Sequence, residues 1–155
     1  MAIGTSLLKE LLEAIQAAII AESGLDGEVY VSIKGKVPAI GDATAVFAVC
    51  PVEEPEPRIS SSQGKEYKPL IDIYAYVALT SDRPDGNVVG DAVSDNGIVV
   101  IAQKLATLLE FNLLTDLVED AVVTNKRFFD VGIAEENRGK LADAVVVSLV
   151  YEYRN

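Results

Sequence analysis

Ala142-Asp143-Ala144-Val145-Val146-Val147-Ser148-Leu149-Val150-Tyr151-Glu152-Tyr153 is the stretch whose reading decides the fold. Successive side chains of a strand point to opposite faces. Val145, Val147, Leu149, Tyr151 and Tyr153 then line one face, and Ala144, Val146, Ser148 and Val150 the other. A strand apolar on both faces is covered on both, so this segment is expected at the centre of a sheet, with the end of the sequence in the core.

Residues 70–79 alternate in the same way. Ile71, Ile73, Ala75, Val77 and Leu79 face one side, and Asp72, Tyr74 and Tyr76 the other, where the tyrosines suit cross-strand packing. Residues 44–52 are nearly all apolar and read as a strand covered on both faces. Residues 28–33 place Val29, Val31 and Ile33 on one face. Residues 118–131 hold one or two strands, with Ala121-Val122-Val123 ahead of the basic pair Lys126-Arg127, and residues 133–140 read as a loop.

Two segments carry helical spacing instead. In residues 5–23, Leu8, Leu11, Leu12, Ile15, Ala18 and Ile19 form the apolar stripe, with Thr5 or Ser6 as the cap and Gly24 past the end. A second helix starts from Asp95 or Asn96, carries Ile98, Ile101, Ala102, Leu105, Leu108 and Leu109, runs to about Glu110, and stops at Asn112. Residues 80–96 form a connector with a short helical turn near residues 88–93. Residues 53–68 hold two prolines, a serine run, a glycine and alternating charge, and read as a long exposed loop or the tip of an extended hairpin. Consecutive strands joined by short turns favour antiparallel pairing. The expected fold is therefore one α+β domain over residues 1–155: a mainly antiparallel sheet, two helices packed on it, and one long exposed loop.

Composition narrows the chemistry. The 155 residues are 50% hydrophobic and 24% charged, a globular balance. Histidine is absent, which excludes every imidazole base and imidazole metal ligand. The one cysteine, Cys50, follows an apolar run and reads as a small core residue. A formal charge of −11 disfavours nucleic-acid binding, which needs a basic face. Gly35-Lys36 and Gly64-Lys65 lack the surroundings of a phosphate loop. Asp82, Asp85, Asp91 and Asp95 miss the register of a calcium loop. Glu53, Glu54 and Glu56, on a loop, lack the burial that splits paired carboxyls into acid and base. No catalytic, cofactor-binding or metal-binding residue is assigned, and the chain is expected not to be an enzyme. No apolar run approaches the roughly 20 residues that span a bilayer, and no basic stretch precedes the first apolar segment, so neither a membrane span nor an export signal is expected.

The order of elements resembles one family. A helix over residues 7–19 leads through a strand and the long loop to the Tyr-bearing strand of residues 71–79. A helix opening at Gly97-Ile98 follows, and the chain closes on Val145-Val146-Val147-Ser148-Leu149-Val150-Tyr151-Glu152-Tyr153-Arg154. This is similar to the tail terminator and neighbouring neck proteins of tailed bacteriophages. The resemblance implies a virion protein assembled in the host cytoplasm, without cofactor or catalytic residues. It implies a homo-oligomeric ring, usually a hexamer, at the head-proximal end of the tail tube. Such a ring ends tube polymerisation and docks the head-side neck or connector protein, and DNA crosses its pore without specific binding. Candidate contacts are Glu53, Glu54, Arg58, Lys65 and Tyr67 in the long loop, and Arg138 and Lys140 in the later one. The alternatives are another neck, tail-completion or tail tube subunit, and, in a different class, a small cytoplasmic enzyme or ligand-binding domain.

Overall fold

A computed structural model describes residues 6–33, 45–56, 59–60, 64–77, 84–90, 97–133 and 141–154. Along the chain these form α1 (Leu7–Ala21), β1 (Glu28–Val31), β2 (Ala45–Glu53), β3 (Ile59–Ser60), β4 (Gly64–Tyr67), β5 (Leu70–Val77), α2 (Pro84–Val89), α3 (Ile98–Leu109), β6 (Asp120–Ile133) and β7 (Leu141–Arg154). This is an α+β architecture. The seven strands form one mixed sheet, ordered β1-β2-β5-β7-β4-β3, with β6 on the other side of β7.

The C-terminal strand is central, as its two apolar faces require. It pairs antiparallel with β5 on one side and β6 on the other. Val145, Val147, Leu149, Tyr151 and Tyr153 join Phe47, Ile71 and Ile73 beneath Leu11, Ile15 and Ile19 of α1 and Ile101, Leu105 and Leu109 of α3. Burying each such Leu, Ile or Val contributes about 1.5–3 kcal/mol, so this helix-covered face carries most of the stability.

The opposite face holds a second core of Val46, Ala48, Cys50, Tyr74, Tyr76, Ala144 and Val146. The Tyr74 and Phe129 rings meet edge to face, centroids 6.0 Å apart, although β7 runs between their strands. They can do so because the sheet curls and the residue below them, opposite Phe129, is the small Ala144. Cys50 and Asp72 are partners on neighbouring strands, as are Asp72 and Ser148. The Ser148 hydroxyl donates to buried Asp72 at 2.6 Å, which supplies the partner a buried carboxylate needs. Burial pushes the Cys50 thiol up, and the Ser32 hydroxyl 3.6 Å away moderates this.

Several expectations change in detail. β1 pairs parallel to β2, not antiparallel. Residues 32–44 make a connection long enough to carry the chain back to its starting end, which a tight turn cannot do. Of the apolar positions expected on this strand only Val29 is buried; Val31 is exposed, as is Ile33, which lies beyond the end of β1. α1 ends at Ala21, capped at Glu22 and ahead of Gly24, while its start is capped by Ser6, which accepts from Lys9 N at 3.2 Å. The short helix of the connector begins at Pro84, upstream of the position read from the sequence. The cap of α3 is Gly97, not Asp95 or Asn96, which lie outside the described residues. A β-carbon at Gly97 would run into the Val88 carbonyl and Gly90 nitrogen of the preceding helix, so close approach sets that residue. Asn112 does stop α3. Its amide donates to the Leu108 carbonyl at 3.0 Å, and its side-chain oxygen accepts from Leu114 N at 3.0 Å.

Past that stop the backbone turns left-handed. Leu114, Thr115 and Asp116 have φ of 52°, 60° and 63°. Left-handed backbone costs an L-residue roughly 1–2 kcal/mol. The turn is held by Leu117 N and Val118 N, both donating to the Leu113 carbonyl, and by buried Val118.

Candidate subunit interface

Registers show that the described parts of residues 53–68 pair as a hairpin, the second of the two readings of this segment. Tyr67 pairs with Tyr153 and Leu70 with Val150, three residues apart on both strands, so β4 and β5 follow β7 in one register. Tyr151 N donates to the Pro69 carbonyl at 3.1 Å, so the ladder continues through the Lys68-Pro69 break. On the other limb, β2 pairs with β5 and β3 with β4. The offset between limbs grows from Glu53↔Leu70 to Ile59↔Lys65, six residues against five, after a bulge between Pro51 and Glu53. Bulges of this kind bend and twist a strand pair. One long, bent hairpin therefore runs from Ala45 to Val77. Its distal part outruns β7, whose last pair with it is Glu66↔Arg154.

The root of this arm is aromatic on the helix side. The Tyr67 and Tyr153 rings stack at 5.2 Å and 22°. The Tyr153 hydroxyl donates to Glu54, which ties the outgoing limb to β7. Burial, and then the bond to Glu54, push the Tyr153 hydroxyl well above the ordinary tyrosine range. The other side of the root is charged. Glu66 and Glu152 bond to each other, which lowers the Glu66 carboxyl and raises that of Glu152, with Lys68 beside both. Arg154 reaches Glu119 at 3.3 Å.

Of the expected contact residues, Glu54 and Tyr67 converge on Tyr153. Glu53 lies exposed at the end of β2, and Lys65 exposed on β4. Arg58, Arg138 and Lys140 lie outside the described residues. The strand ends that flank residues 134–140, Ile133 and Leu141, pair at the end of β7 opposite Tyr153, so the two candidate loops spring from opposite ends of the sheet. Sequence reading missed Tyr153, Glu66 and Glu152 as parts of the root. The signal was the matching alternation Glu66-Tyr67 and Glu152-Tyr153, which places carboxylates on one face and rings on the other.

No protein-family model matches this chain, and no curated protein is similar to it in sequence.

Proposed function

We propose that this chain is a structural virion protein, a tail terminator that forms a ring at the head-proximal end of a phage tail tube, ends tube growth and joins the tail to the neck. The observation that carries the reading is the long hairpin arm, rooted by Tyr67, Tyr153 and Glu54 and reaching past β7. An arm of paired backbone with exposed side chains suits contact with a neighbouring copy or the tube. The acidic balance supports the same reading. Six copies at −11 each carry about −66, a field that keeps DNA phosphates off a pore wall. The same field opposes assembly, so ring formation should rise with salt.

Negative-stain imaging of concentrated protein at low and high salt tests this. Uniform closed rings with a central pore, more abundant at high salt, are expected. Open-ended tubes would overturn it in favour of a tail tube subunit.

A further inference from the structure

The sheet ends in two strands, β1 and β6, whose outer sides no described strand pairs with. β1 pairs with no described strand but β2, and β6 with none but β7. One end of each outer side is already taken: the Val29 carbonyl accepts from Gln16 Nε2 at 2.7 Å, the Ala121 carbonyl accepts from Phe111 N at 2.7 Å, and Val123 N donates to Glu110 at 2.9 Å, which leaves the stretches after Val29 and after Val123. An outer strand presents a row of backbone donors and acceptors that another strand can take up. We propose that β6 of one copy pairs with β1 of the next copy, so that the ring is closed by a sheet continuous across subunits. The proposal rests on the ring reading above and names the contact that would build it.

Length and exposure match first. On β6 the residues 124–128 are exposed in an unbroken run that begins at the bulge residue Thr124. On the other edge, Tyr30 and Val31 of β1 and Ile33 just past its end are 41%, 42% and 62% exposed, which is unusual for apolar and aromatic residues clustered so closely. Phe128 on β6 is 47% exposed. Each edge thus offers a short stretch of accessible backbone flanked by apolar side chains.

The faces then fix which side chains meet. Val29 belongs to the helix-covered core, so Val31 and Ile33 share its side, and Glu28, Tyr30 and Ser32 take the other. On β6, Lys126 and Phe128 lie opposite Val147 and Val145, which belong to the helix-covered core. Arg127 lies opposite Val146, on the second face. A one-residue slip would turn every side chain to the wrong face. Every register that keeps the helix-covered faces continuous therefore sets Phe128 against Val29, Val31 or Ile33. It sets Arg127 against Glu28, Tyr30 or Ser32.

Charge points the same way. Lys126-Arg127 is the one pair of adjacent basic residues in a chain of net charge −11. The segment ahead of and within β1 is acidic, with Glu22, Asp26 and Glu28. A basic edge and an acidic edge on the same molecule attract between copies and cannot attract within one. That is the head-to-tail contact that closes into a ring, where a two-fold contact would stop at a dimer. Strand direction agrees. β1 runs parallel to β2, and β6 runs opposite to it through β5 and β7. Rotation about an axis along the strands preserves those directions, so β6 meets the next β1 antiparallel.

The test uses the full chain, sized by sedimentation velocity and native mass spectrometry, with circular dichroism to confirm folding. Both substitutions sit on exposed side chains, so the fold should survive. Glu28→Arg alone and Arg127→Glu alone each put like charges across the contact and should weaken association at least about tenfold, leaving monomers where the natural chain forms rings. The double substitution should restore rings. So should an equimolar mixture of the two single variants, which can alternate around the ring. Rings unchanged in both single variants would overturn the edge pairing and leave the terminator reading standing. Open tubes that both single variants abolish would do the reverse. A natural chain that stays monomeric at every salt and protein concentration would also overturn the pairing.

Discussion

Tyr67 and Tyr153 face each other across β4 and β7 with their rings stacked at 5.2 Å, and the hydroxyl of the second is bonded to Glu54 on the other limb of the hairpin. Three segments distant in sequence are thereby fastened at one point. Tyr67→Ala should release the arm while sparing the core. The expected loss is about 1–2 kcal/mol, or a fall in Tm of roughly 2–8 °C. Limited proteolysis should move to residues 54–67 in this variant. Tyr67→Phe, which keeps the ring, should behave as the natural chain. An unchanged cleavage pattern in Tyr67→Ala would show that the stack does not hold the arm.

The register of the hairpin predicts a tolerated deletion. Glu53 pairs with Leu70, so removing residues 55–66 would leave Glu54, Tyr67, Lys68 and Pro69 to close the turn between β2 and β5. Four-residue hairpin connections are common. The shortened protein should give the natural circular dichroism spectrum and a cooperative melt, and should lose whatever assembly depends on the arm. An unfolded product would mean that the arm is part of the core.

The core was legible from the sequence because period-two apolar patterns decide which residues face inward. The paired faces of β5 and β7 and the stripes of α1 and α3 lie where those patterns put them. The arm was half legible: its alternation is broken by Pro55, Pro57 and the run Ser60-Ser61-Ser62, so the segment reads equally as a loop or as a hairpin tip, and only the register decides for the hairpin. The parallel pairing of β1 was hidden because direction depends on a connector rather than on the strand's own residues. Gly97 was passed over as a cap because its role depends on the nearness of Val88, a tertiary fact.

The left-handed turn after Asn112 carries an avoidable cost. Thr115 is β-branched, exposed, and held at φ 60°. Glycine has no such penalty. Thr115→Gly should therefore stabilise the protein by about 1 kcal/mol, raising Tm by roughly 2–4 °C. A fall in Tm would mean that the threonine makes a contact worth more than the strain.

Tyr151 is fully buried, and its hydroxyl has no hydrogen-bond partner among the described residues. An unpaired buried hydroxyl costs about 1–3 kcal/mol relative to an apolar atom of the same shape. Tyr151→Phe should leave the fold unchanged and raise the urea midpoint, with an unchanged slope. A lower midpoint would reveal a partner for that hydroxyl in solution.

Alkaline pH should unfold the protein cooperatively. Burial is the main cause that raises the hydroxyls of Tyr74, Tyr76, Tyr151 and Tyr153 and the Cys50 thiol. A group raised in the folded state favours folding fully below its unfolded pKa, and that advantage is lost as pH climbs towards the folded value. The unfolded values are about 8.5 for cysteine and about 10 for tyrosine. Tm should therefore hold steady to about pH 8.5, decline gently above it, and drop steeply above about pH 10. There each buried tyrosine contributes a slope of up to about 1.4 kcal/mol per pH unit. Tyrosinate absorbance of these four rings should appear together with the loss of the circular dichroism signal. Gradual titration of the buried tyrosines in a protein that stays folded would show that the face around Tyr74 and Tyr76 is open to water. Tyr76→Phe removes one such group without changing the ring, so it should shift the alkaline midpoint upward.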